Sequence, residues 1–216
     1  MATYTVKNHV LHLDGKPVAQ RPTPNRGGPL KAEYLVMHYT AALTAAGAIS
    51  WLCNPAAKAS AHLVIAQDGT VAQLAPLNVV CWHAGKSTWA KRSGCNGFTI
   101  GVELANPGPL NKTASGYATA MEHKPVAARD VILAAHKSGG PVRPWAAYPE
   151  AQIAAAVGVA QAIVSTYGLK GIVGHEDIAP GRKTDPGPAF PMGSFKARVM
   201  GRAALSDAPA KSGGLK

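Results

Sequence analysis

The stretch Gly174-His175-Glu176-Asp177-Ile178-Ala179-Pro180-Gly181-Arg182-Lys183-Thr184-Asp185-Pro186-Gly187-Pro188 constrains this chain more than any other. It follows a short apolar run, Gly171-Ile172-Val173, that reads as the end of a buried strand. Pro180, Pro186 and Pro188 stiffen it, and Pro186 pushes Asp185 towards an extended backbone. Histidine and aspartate are both Zn²⁺ ligands, and a catalytic zinc site typically combines three protein ligands with a water. The stretch supplies two, His175 and Asp185, so the third has to come from elsewhere. Tyr34-Leu35-Val36-Met37-His38-Tyr39-Thr40 offers it. This mostly apolar run predicts a central strand, with His38 at its C-terminal end, where open α/β sheets place their sites.

The remaining segments fall into place around that strand. Residues 4–13 alternate like a strand and end at the turn Asp14-Gly15, and residues 20–31 read as loop. An Ala-rich helix is predicted over 41–54, packed on the sheet through Leu43, Ile49, Trp51 and Leu52 and stopped by Pro55. His62–Gln67, Asp68-Gly69 and Thr70–Leu74 predict a hairpin, and Phe98–Leu104 the next strand. Residues 109–148 are rich in Gly, Pro and Lys; they read as an irregular excursion bordering the site, with a short helix at 126–136. Pro149 opens a helix to Tyr167, stopped by Gly168, and Ser194 is the expected cap of a last helix. The fold class is α/β: a single domain over 1–204, with a mixed central β-sheet flanked by helices, and a flexible tail at 205–216.

Charge and cysteine content narrow the setting. Lys and Arg number 22 against 11 acidic residues, a net charge of +11 in 216 residues. Such a chain is drawn to polyanions, including an anionic cell envelope. The basic residues are scattered without a block, which argues against nucleic acid as partner. Three cysteines, Cys53, Cys81 and Cys95, without a CxxC pair suggest free thiols in a reducing compartment. No signal peptide and no transmembrane run is visible, so cytoplasmic synthesis is expected, and a monomer with it.

Five blocks together resemble a known family: Val36–Thr40 with His38, the hairpin Ser60–Thr70, Trp82-His83-Ala84-Gly85, Ile100–Leu104, and Gly174 through Gly187. They are similar, in the same order, to the zinc-dependent N-acetylmuramoyl-L-alanine amidases of type 2. That family includes AmpD-like amidases, phage amidase endolysins and peptidoglycan recognition proteins. The resemblance spans roughly residues 30–105 and 150–200. It implies one Zn²⁺ held by His38, His175 and Asp185, the same three residues that ligand chemistry singles out. It also implies Glu103 as general base, where the alternative is a surface carboxylate in a salt bridge. Lys183 becomes the cation beside the developing oxyanion, where the alternative is a solvated loop lysine. Some phage members carry Tyr before the hairpin histidine and Cys as third ligand; here those positions are Ala61 and Asp185, so the site resembles the AmpD-like version.

Other residues keep two readings. His83 either packs its loop or touches substrate, and Trp82 and Trp89 either stack on sugar faces or anchor the loop. Asn106 is a candidate for holding substrate backbone. His62 reads as a structural brace, Glu176 and Asp177 as partners of the ligands or plain loop residues, and His123 and His136 as solvent-facing. The activity implied by the resemblance is hydrolysis of the amide between N-acetylmuramic acid and L-alanine in peptidoglycan. The charge favours a wall-lytic, endolysin-like enzyme that reaches the wall through a separate membrane pore. The alternatives are a cytosolic amidase of anhydro-muropeptide recycling and a non-catalytic peptidoglycan-binding module.

Overall fold

In the computed structural model, which describes residues 2–201, six strands form the central sheet. They are β1 (Ala19–Gln20), β2 (Tyr34–Tyr39), β3 (Leu63–Ile65), β4 (Val71–Gln73), β5 (Thr99–Leu104) and β6 (Gly171–Gly174). Their spatial order is β6-β2-β5-β3-β4-β1. β2 pairs in parallel with β5 and β6, and β5 in parallel with β3. β3 and β4 form the antiparallel hairpin predicted at Asp68-Gly69. The sheet is therefore mixed, and its parallel centre is apolar on one face, while Thr99, Glu103 and His38 lie on the other.

One face packs on helix α2 (Glu150–Tyr167) and helix α4 (Met192–Met200), through Leu35, Met37, Ile100, Val102, Leu104 and Ile172 against Ile153, Val157, Ala160, Ile163 and Phe195. Gly168, at φ 60°, ends α2 in the left-handed conformation that glycine adopts at low cost. The other face carries helix α1 (Ala45–Leu52) over β3 and β4, where Leu52 packs against Val64 and Leu74. Helix α3 (His175–Ile178) follows β6 directly, so the metal-type residues begin where that strand ends.

Several boundaries differ from the expectation. Residues 4–13 are two short strands, Tyr4–Lys7 and Val10–Leu13, folded back through Asn8 and His9 at φ 48° and 64°. Residues 26–29, within the expected loop, pair with Val79–Cys81. The helix expected over 41–54 is shorter, because the Thr44 side chain caps it by accepting from the Gly47 N–H. Ser194 does not cap the last helix; it lies inside it, and Pro191 precedes the first turn.

The helix expected at 126–136 is absent. A 3₁₀ turn at Ala128–Asp130 leads into the strand Val131–Ala134, which pairs antiparallel with Arg143–Ala146. Val131-Ile132-Leu133 makes better strand than helix once Trp145 lies directly opposite Ile132. The excursion as a whole is a three-stranded sheet (Leu110–Thr113, Gly116–Thr119, Pro125–Val126) followed by this hairpin. The tail expected at 205–216 lies outside the described residues.

Candidate metal and catalytic site

The site forms on the α1 face of the sheet, at the C-terminal ends of its parallel strands. His38 is the penultimate residue of β2, and Glu103 of β5 lies opposite it in the ladder. Gly174 pairs with Met37, so His175 is the next residue along, level with His38. The loop after α3 then returns Asp185 to the same point. It is clipped there by the Glu176 N–H donating to the Asp185 carbonyl at 2.8 Å, and by the Asp177 carboxylate accepting from the Gly174 N–H at 2.7 Å.

Three side-chain atoms converge. His38 Nδ1 and His175 Nδ1 are 2.9 Å apart, and each is 3.0 Å from Asp185 Oδ2. All three residues are buried. The hydrogen-bond partners assign the ring protons. His175 Nε2–H donates to the Ala84 carbonyl at 3.0 Å. Arg182 Nη2 lies 3.4 Å from the same nitrogen but is engaged at 2.7 Å by that carbonyl, so the shorter contacts decide. A neutral ring carries one N–H, so His175 Nδ1 presents a lone pair. Burial holds the His38 imidazolium down to about 4, against the carboxylate of Asp185, so the His38 ring is neutral near pH 7. Burial alone would raise the Asp185 carboxyl, but the adjoining His175 and His38 rings hold it well below the ordinary carboxylate range.

Lone pairs of two imidazoles and an ionised carboxylate facing one point repel one another unless a cation lies between them. The triangle's edges of 2.9–3.0 Å approach the ~3.3 Å that Zn–ligand bonds of ~2.0–2.1 Å produce at tetrahedral angles. Nitrogen, nitrogen and oxygen are borderline ligands that suit Zn²⁺. Among the described residues these three are the group able to hold a metal ion.

Around this point lies a cleft of about 760 Å³, floored by His38, His175, Asp185 and Glu103. Glu103 is half-buried, makes no ion pair among the described residues, and its Oε2 is buried without a hydrogen-bond partner. Burial, reinforced by the nearby Asp185 charge and opposed by Lys183, pushes its carboxyl well above the ordinary range. Lys183 also lines the cleft, and its charge is felt by both Glu103 and His38.

The other candidates separate. Trp82 lines the cleft at 37% exposure, whereas Trp89 packs edge-on against Tyr34 as a loop anchor. His83 reaches the cleft but is buried behind His38. His62 is a brace: its Nδ1 accepts from the Gly101 N–H and its Nε2 donates to the Val79 carbonyl. Asn106 lies outside the cleft lining, fully buried; its amide donates to the carbonyls of Ala146 and Ala147 and its oxygen accepts from the Gly108 N–H. Its polar atoms tie strand β5 to the excursion and leave none for a substrate.

The structure also supplies residues that sequence reasoning missed. Trp51, expected to pack on the sheet, is 59% exposed at the cleft rim, and Met121 of the excursion stands there at 73% exposure. His136, expected in solvent, pairs with Glu176, while Lys137 bridges Glu176 and Asp177. Trp145 packs over Gly187, and the Tyr148 hydroxyl donates to the Pro186 carbonyl. The excursion thus buttresses the loop that carries Asp185. Nothing in the spacing of 109–148 signals this, because each contact crosses to a residue about 40 positions away.

Comparison with known proteins shows the family. Residues 28–188 match the family described as N-acetylmuramoyl-L-alanine amidase. The chain belongs to that amidase family. The 1,6-anhydro-N-acetylmuramyl-L-alanine amidase AmpD of Escherichia coli is 33% identical over 144 residues, which make up 66% of this chain and 59% of that protein. The chain therefore matches less than two thirds of that relative's length. A crystal structure of a selenomethionine AmpD derivative aligns with TM-score 0.61 at 24% identity, covering 84% of this chain and 94% of the other, a likeness of fold. The N-acetylmuramyl-L-alanine amidase AmiD of E. coli, solved with its substrate anhydro-N-acetylmuramic acid-L-Ala-D-γ-Glu-L-Lys, aligns with TM-score 0.59 at 27% identity, covering 90% of this chain and 65% of that one. In this amidase fold the helices lie beside the sheet, and no helix among the described residues is long and apolar enough to cross a membrane.

Proposed function

We propose that the protein hydrolyses the amide between the lactyl group of N-acetylmuramic acid and L-alanine, with one Zn²⁺ held by His38, His175 and Asp185. The observation that carries this reading is the triangle of His38 Nδ1, His175 Nδ1 and Asp185 Oδ2, with Glu103, whose Oε2 is buried without a partner, on the same cleft floor. A zinc ion in such a site supplies Lewis acidity, polarising an amide carbonyl and making a water acidic at neutral pH. The chain's own residues do the rest. Glu103 takes a proton from the attacking water and delivers it to the leaving amine nitrogen, a role suited to a carboxyl whose pKa burial has raised. Lys183 places its positive charge where the carbonyl oxygen becomes negative. The His38 imidazole, its pKa lowered to about 4 by burial, stays neutral near pH 7.

The substrate form divides into two readings. The net charge of +11, together with the apolar rim of Trp51, Trp82 and Met121, supports an extended substrate on an anionic wall, and with it a lytic role. The names and bound substrate of AmpD and AmiD support soluble anhydro-muropeptides. Turnover of purified sacculi and of a soluble anhydro-muropeptide, each followed as new amino termini over a salt series, decides between them. The wall reading expects faster cleavage of sacculi, weakening as the Debye length shrinks from ~10 Å at 0.1 M to ~3 Å at 1 M. Cleavage of the soluble substrate alone removes it, and release of no amino termini from either removes the amidase reading.

A further inference from the structure

Resting on the zinc reading above, we propose that His83 is a positioning residue: it fixes the tautomer of His38, and Gly101 lacks a side chain so that the His83 ring can lie where it does this. His83 follows the strand Val79–Cys81 and is 8% exposed. Its Nε2 faces the Thr99 carbonyl at 3.4 Å and Thr99 Oγ1 at 3.3 Å. Thr99 Oγ1 gives its own proton to the Cys95 carbonyl at 2.7 Å, so both groups beside His83 Nε2 can only accept. His83 Nε2 therefore carries the proton and its Nδ1 is bare. That bare Nδ1 lies 3.0 Å from His38 Nε2, so His38 Nε2–H must be the donor. His38 is left with its proton on the far nitrogen and its Nδ1 lone pair aimed at Asp185 Oδ2 and His175 Nδ1. An acceptor behind a metal-binding imidazole orients the ring and raises its basicity. In most such sites the acceptor is a carboxylate, a carbonyl or water; here it is a second imidazole, itself oriented by Thr99.

Gly101 makes the arrangement possible. It sits in the middle of β5, where no positive φ calls for glycine. A Cβ added there would lie 2.4 Å from His83 Cγ and 2.6 Å from its Nδ1, well inside contact distance. The His83 ring thus occupies the space that any other residue at 101 would fill. The Gly101 N–H donates to His62 Nδ1 at 3.0 Å, and His62 Nε2 is anchored on the Val79 carbonyl at 2.9 Å. The strand beneath the ring and the strand that leads into it are therefore tied together through His62.

The test measures zinc affinity, by competition with a chromophoric chelator, and the visible spectrum of the Co²⁺-substituted protein. The melting temperature of the metal-free form checks folding. Leucine at 83 keeps the bulk and removes the acceptor, so His83→Leu is expected to weaken zinc binding by ~10–100-fold and to perturb the Co²⁺ bands. Asparagine places an oxygen near the position of Nδ1, so His83→Asn is expected to hold zinc within about threefold of wild type. Gly101→Ala displaces the ring without deleting a polar group and is expected to behave like His83→Leu. Wild-type affinity in a folded His83→Leu overturns the proposal, as does equal weakening in His83→Leu and His83→Asn. Should His83→Leu not fold, Gly101→Ala against His83→Asn carries the same decision, and equal affinities in that pair overturn it. A wild-type protein that binds no zinc overturns the metal reading itself, a result distinct from unchanged affinity in the variants.

Discussion

Glu103 stands opposite His38 in the parallel ladder between β5 and β2. Residues paired in this way project to the same face of a sheet, so the register alone brings the candidate base alongside the metal-type histidine. A shift of one residue would send Glu103 into the core with Leu104 and Val102, where an ionised carboxylate has no place. The pairing of Glu103 with His38 therefore rests on rigid strands, while Asp185 and Lys183 come from the loop after α3.

Replacing Glu103 with Gln keeps shape and removes basicity. Zinc content should stay at one per chain while turnover falls by ~10²–10⁴-fold, the usual worth of a positioned acid–base group. The base acts when ionised, and burial raises its pKa, so the acid limb of kcat/KM is expected at a pH above the ordinary carboxylate range. Amide cleavage across a pH series, with metal analysis of each variant, reads both effects. Near wild-type turnover in Glu103→Gln leaves Glu103 a structural carboxylate.

Metal removal has two expected consequences. Chelation should abolish cleavage, and added Zn²⁺ should restore it. The chelated protein should also melt at lower temperature, since a ligand at about 100 times its Kd stabilises the folded state by ~2.7 kcal/mol. His175→Ala and Asp185→Ala should lose zinc and activity together, and should no longer melt higher when zinc is added. Full activity in metal-free protein rules out the mechanism.

Acid should destabilise the protein through His62. Burial lowers its pKa from the ordinary 6.5 to about 4. Between those values the unfolded chain binds a proton that the folded one does not. The stability linked to His62 is therefore complete above pH 6.5 and is lost as the pH falls towards 4. The size is on the order of 3 kcal/mol over that window. Urea unfolding at a series of pH values should show a shallower acid slope in His62→Asn than in wild type. Equal slopes would mean that other groups, such as His38 and His83, carry the whole effect.

Much of the architecture can be read in the amino-acid order because the signals are local. The apolar run ending in His38, the Asp68-Gly69 hairpin, the helix between Pro149 and Gly168 and the proline-stiffened loop around Asp185 each depend on residues within a few positions of one another. Backbone preference and burial of one face act at that range. Residue chemistry likewise identifies His38, His175 and Asp185 as metal-type groups from sequence alone.

The tertiary structure decided what those groups meet. His38 and Asp185 are 147 positions apart, and their 3.0 Å contact exists only because β2 and β6 pair in register. Val131–Ala134 became a strand because Trp145 lies across from it, overriding a helical reading of the same residues. Asn106 reads in the sequence as a substrate contact and His83 as that or as loop packing, but their polar atoms turn inward, to the excursion and to His38. Trp51 looked like core, and the cleft leaves it in the open. Local preference selects the form of a segment, whereas the environment of a side chain is set by whichever distant segment packs on it, and sheet register made that choice here.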